Sequence, residues 1–113
     1  MINYSVEESI LLLGNSRIDF KFKIDKVVEK DGVLFILLFR HDVDVSQIPL
    51  NNLFAIDALG EIVWNVKDTV KSDGLYVLVR INDLNELIIR EFYGENFVIE
   101  PKGWKLIERK FIK

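Results

Sequence analysis

The chain has 113 residues, half of them apolar, with eighteen acids against fifteen bases for a net charge of −3 and no cysteine. That length supports one self-sufficient core, the missing thiols remove Cys-based nucleophiles, redox pairs and zinc sites, and a slight acidic excess with interleaved signs argues against nucleic acid. The longest apolar run, Val33 to Phe39, is far shorter than the roughly 20 residues of a membrane helix, and an N-terminus with Glu7 and Glu8 but no basic n-region points to cytoplasmic residence.

Ser5-Val6-Glu7-Glu8 has the form of a capping box, so residues 5–13 read either as a short helix or as strand. Ile18, Phe20, Phe22 and Ile24 alternate with Asp19, Lys21, Lys23 and Asp25, which predicts a strand with one buried face. Asp31-Gly32 then predicts a type I′ hairpin turn, because both central residues of that turn need positive φ. The unbroken apolar run Val33 to Phe39 fits a central strand covered on both faces, or a strand at a barrel or dimer contact. Leu53–Ile56 and Ile62–Trp64 flank the turn Asp57-Ala58-Leu59-Gly60, and Asp73-Gly74 opens a strand from Leu75 to Ile81. Asp83-Leu84-Asn85-Glu86 carries helix-cap chemistry as well as turn chemistry, and the branched residues of Leu87-Ile88-Ile89 favour strand. The predicted architecture is all-β over residues 1–113: a single domain of about seven or eight strands in an antiparallel up-and-down meander. It takes the form of a propeller-blade-like stacked sheet or a small open barrel.

Shifting the sequence by 43 residues places Phe54, Ile56, Asp57 and Gly60 on Phe97, Ile99, Glu100 and Gly103, two segments that both read as strand, acidic turn, Gly, strand. Two such units cannot close a propeller ring, and two hairpins obeying similar turn rules account for the match.

The run from Asn52 to Trp64, with Asp57, Gly60 and Trp64, resembles the blade motif of quinoprotein-type propellers. It is also similar to a group of small bacterial proteins that carry a single such motif and end in a segment like Ile99-Glu100-Pro101-Lys102-Gly103. The resemblance covers residues 50–113 and implies an architectural role: the acid and the glycine make the turn, and the tryptophan packs between sheets. The Thr that often precedes the glycine is missing, the chain is too short for a ring, and no quinone or other cofactor is implied.

Chemistry-bearing residues are sparse. His41, the single histidine, lies beside Asp42 and Asp44, a pattern that suits a metal or an oriented base, although a solvated loop explains the same residues. Asp42, Asp44 and Asp57 are candidates for an acidic patch facing a basic partner. Trp64, Trp104, Phe92, Tyr93 and Tyr76 would line a ligand cavity if the sheet closed, and otherwise fill the core. The basic, aromatic segment from Trp104 to Lys113 reads as a solvated outer strand. No nucleophile elbow and no Gly-rich phosphate loop is present. The function expected from these residues is a non-enzymatic protein-interaction module, in the manner of an immunity-type inhibitor of a toxin or a sheet that self-associates through strand edges. The alternatives are a small-molecule binder with an aromatic-lined cavity and a metal-assisted enzyme centred on His41.

Overall fold

The computed structural model describes residues 2–40 and 42–111, with backbone alone for 108–111. The chain forms three successive antiparallel meanders. The first sheet holds β1 (Tyr4–Glu7), β2 (Ile10–Leu13) and β3 (Ser16–Asp19). The middle sheet holds β4 (Lys26–Lys30), β5 (Val33–Leu37), β6 (Leu53–Ile56) and β7 (Ile62–Asn65). After the short helix α1 (Lys67–Val70) the third sheet follows with β8 (Tyr76–Ile81), β9 (Leu87–Glu91), β10 (Glu95–Glu100) and β11 (Lys105–Phe111). The all-β antiparallel expectation holds. The strand number is corrected from seven or eight to eleven among the described residues, and the sheets close into no barrel.

Two of the additional strands come from the N-terminal segment, where residues 5–13 form most of β1, a turn at Glu8-Ser9 and β2 rather than a helix. An isolated helix of that length is marginal in water, whereas the strand places Leu11 and Leu13 in the core with Leu12 pointing out. The predicted strand through Ile18, Phe20, Phe22 and Ile24 stops at Asp19, and this too is a correction. The Asp19 carboxylate accepts hydrogen bonds from the Lys21 N–H and the Ser9 hydroxyl, each at 2.8 Å, and Lys21 is held at φ 69°. That left-handed residue rotates the chain out of the ladder. Ile18, Phe20 and Ile24 still reach the core, but Phe22 is left 42% exposed.

The middle sheet is shared by two cores. Leu34, Ile36 and Leu38 face the first sheet together with Phe54 and Ile56, while Phe35, Leu37 and Phe39 face the third with Leu53 and Ala55. This explains the missing polar alternation in Val33 to Phe39: a strand with a sheet on each side has no wet face. The turn before it has φ 52° at Asp31 and 81° at Gly32, the type I′ signs read from the sequence. The outward rows of the first sheet, Ser5–Leu12–Arg17 and Glu7–Ile10–Asp19, are largely polar and exposed, so the stack ends there.

Two turns share one design. Asp57 Oδ1 accepts from the N–H groups of Leu59 and Glu61 at 2.9 and 3.0 Å, and Asn82 Oδ1 accepts from those of Leu84 and Glu86 at 3.0 and 2.8 Å. The residue three places after the acceptor is left-handed in both, Gly60 at 85° and Asn85 at 62°. The turn at 82–86 is therefore organised by Asn82 rather than by Asp83, and it leads into strand as expected. Gly60 has a second reason for its lack of a side chain, since a Cβ there would lie 2.8 Å from Ile18 Cδ1. The 43-residue match also has a structural counterpart. β6 and β10 are each the third strand of a four-stranded sheet, and the ladder to the following strand shifts register between Ala55 and Ile56 in one and between Val98 and Ile99 in the other.

Candidate functional site

The three carboxylates singled out in the sequence are not brought together. Asp42 and Asp44 follow the end of β5, whereas Asp57 follows Ile56, which pairs with Leu34 near the start of β5. Each carboxylate also has an internal task. Asp42 takes both Nε and Nη2 of Arg40 in a bidentate pair, Asp44 caps the 3₁₀ turn Val45–Gln47 by accepting from the Ser46 N–H at 3.0 Å, and Asp57 builds its turn. His41 lies outside the described residues, and among those described no cluster of three or more His, Cys, Asp or Glu could hold a metal.

Four exposed acids, Asp19, Asp42, Asp44 and Asp73, titrate below the usual aspartate range, each for a local reason. The Lys21 N–H and the Ser9 hydroxyl lower Asp19, the Arg40 guanidinium lowers Asp42, the Ser46 N–H and hydroxyl lower Asp44, and Lys67 with Asn51 lowers Asp73. A depressed value in the folded state gives stability that is present above the unfolded value and is lost as the pH falls through the folded one. The thermal midpoint is therefore expected to stay level from about pH 8 to about pH 5 and to fall below about pH 4. The fall should be shallow because the groups are exposed and solvent-screened. Melting curves across that range check this, and a midpoint that rises on acidification contradicts it.

The aromatic candidates are distributed between core and surface. Trp64 and Tyr76 are buried, and Trp104 is half-buried and stacked on Trp64 at 5.1 Å between ring centroids. Phe92 and Tyr93 sit edge to face at the exposed tip between β9 and β10. In β11, Lys105, Leu106 and Ile107 are exposed.

Two surface features stand out that those residues did not mark. One is the free edge of β1. From the closing pair Glu7–Ile10 the antiparallel ladder alternates, so Ser5 and Glu7 bond to β2 while Tyr4 and Val6 turn N–H and C=O outward. All four residues of β1 are exposed, and Tyr4 and Val6 share a face with Leu13 and Leu11, the face that is core in β2. The other is a cleft of about 440 Å³ where the first and middle sheets end, with Phe22, Phe39, Val43 and Ile48 as apolar lining, Lys21, Lys23 and Arg40 as cations and Glu8 as one acid. The sequence marks it only faintly, by Phe22 between Lys21 and Lys23; the bend at Asp19 that exposes the ring has no signal in the alternation.

No helix among the described residues is long and apolar enough to cross a membrane. A family model described as a domain of unknown function (DUF7957) matches residues 1–111. No curated protein matches, and no solved structure does.

Proposed function

We propose, for a chain that belongs to the DUF7957 family of domains of unknown function, a protein-interaction role in which β1 accepts the β1 strand of a second copy. The observation that carries this reading is the unguarded edge. Proteins protect edge strands with charge, proline or a bulge. β3 carries Arg17 and Asp19, β4 carries Lys26, Glu29 and Lys30, β8 carries Arg80, and the ladders to β7 and β11 are bulged. β1 carries one charge, Glu7, at its hairpin end where it pairs with Ile10, and its remaining residues Tyr4 to Val6 have none of these.

The edge is also complementary to itself. In antiparallel pairing about Ser5, Tyr4 of one copy stands opposite Val6 of the other, and each such pair exchanges both of its outward N–H and C=O bonds. Inner faces then meet inner faces, and aromatic–branched cross-strand pairs form where solvent now reaches Tyr4 and Val6. So short a strand buries little area, which implies a weak, concentration-dependent dimer. The three meanders are read as propeller-blade-like sheets, supported by the matched register shifts and by chain connections that run from the last strand of one sheet to the first of the next.

Sedimentation velocity over a wide concentration range tests the role. The native chain is expected to shift toward a dimer as concentration rises, Val6→Lys is expected to remain monomeric, and Val63→Lys on the bulged edge is expected to behave as the native chain does. A native chain that stays monomeric throughout, or a Val6→Lys variant that dimerises normally, overturns it.

A further inference from the structure

The geometry points to the cleft at the end of the first and middle sheets as a binding site for a small amphipathic carboxylate, an aliphatic body carrying one negative charge. This is separate from the β1 edge and does not depend on it.

Three observations converge. The first is shape: about 440 Å³ lies within the roughly 300–1,000 Å³ of small-molecule sites, and an adjoining hollow bounded by Ile24, Asp25 and Asp42 shares Lys23 and Arg40 with it. The second is that the cleft's exposed aromatic is presented at a conformational cost. Phe22 would point to the core if the alternation begun at Ile18 continued. The left-handed φ of 69° at Lys21, clamped by the Asp19 carboxylate, turns it to line the cleft instead. Sparsely populated backbone of this kind persists where surrounding contacts hold it, and such positions concentrate at ligand sites. The third is charge. Arg40 is committed to Asp42 and Lys23 faces Glu8 at 3.6 Å, but Lys21 has no ion-pair partner among the described residues. One uncommitted ammonium beside an apolar lining of Phe22, Val43 and Ile48 suits a monoanion with a hydrocarbon body. A phosphate dianion would call for several free cations or a backbone N–H nest, whereas two of the three cations lining the cleft, Lys23 and Arg40, are already paired with carboxylates.

The test is a titration of the full chain with octanoate and, in parallel, with octan-1-ol, followed by backbone amide NMR shifts. Octanoate is expected to give saturable shifts centred on Phe22, Val43 and Ile48 and to bind more tightly than the alcohol. Lys21→Met should weaken octanoate about tenfold, the loss of one charge-assisted contact, while leaving octanol unchanged. Phe22→Ala should weaken both ligands. Both side chains are solvent-exposed, so an unchanged thermal midpoint verifies that the variants fold. Shifts that do not saturate, that map away from the cleft, or that are equal for acid and alcohol overturn the assignment, as does a Lys21→Met variant that binds octanoate like the native chain.

Discussion

Replacing Asn52 with leucine is expected to destabilise the protein by about 3 kcal/mol or more, out of proportion to a change at a single loop-end residue. Asn52 is 2% exposed and stands where the chain returns from the loop after β5 into β6. Its amide Nδ2 donates to the carbonyls of Leu38 and Tyr76, both at 2.8 Å, and its Oδ1 accepts from the Tyr76 N–H at 2.8 Å. One side chain thereby acts as a section of backbone, pinning the start of β8 to the middle sheet. Leucine removes all three of these hydrogen bonds from a buried site, each at a cost of about 1–3 kcal/mol where water cannot replace it. Asn52→Asp keeps the shape but sets a carboxylate against two carbonyl oxygens, so it is expected to lose nearly as much and to separate hydrogen bonding from packing. Urea denaturation measures both. A loss below about 1 kcal/mol for the leucine variant would show that the third sheet is held by its apolar contacts alone.

Trp64→Ala is expected to be the most damaging core truncation, at about 3–5 kcal/mol. The indole is 2% exposed, lies parallel to Trp104 with 13° between the planes, and meets Phe35 edge-on at 5.9 Å. Its Nε1–H donates to Thr69 Oγ1 at 3.0 Å, and that hydroxyl donates onward to the Trp104 carbonyl at 2.7 Å. β7, α1 and the turn before β11 are thus tied through one ring and one hydroxyl. Thr69→Val keeps the volume and removes the relay, so it should cost about 1–2 kcal/mol. Chemical denaturation read by far-UV circular dichroism checks both variants. Near-equal losses for Trp64→Ala and Thr69→Val would mean that the hydroxyl relay, rather than the buried ring, carries the junction.

The parts of the fold that were legible in the sequence are those decided locally. Seven consecutive apolar residues from Val33 require cover on both faces, and Asp31-Gly32 requires a tight turn; neither depends on what the rest of the chain does. Asp57 and Gly60 form their turn from local chemistry and Trp64 is buried as the resemblance implies, but the acidic patch that Asp57 was expected to share with Asp42 and Asp44 is not assembled. What was not legible depends on distant partners. Asn52 looks like an ordinary loop asparagine after Pro49, and nothing near it announces bonds to residues 14 and 24 positions away. The strand ends at Asp19 although the alternation runs on to Ile24, because period two records which side chains are apolar but not that an aspartate will clamp the next turn. The cap chemistry of Ser5-Val6-Glu7-Glu8 competed with alternation in the same residues, and only the cover supplied by Leu34 and Ile36 selects strand. That choice also creates the free edge, so the surface proposed to act in association had no sequence signature of its own.

Amide hydrogen exchange in β1, recorded at low and high protein concentration, tests the association most directly. Exchange at Tyr4 and Val6 should slow as concentration rises, while Ser5 and Glu7, already bonded to β2, should change little. Rates at Tyr4 and Val6 that are independent of concentration would contradict strand pairing at this edge.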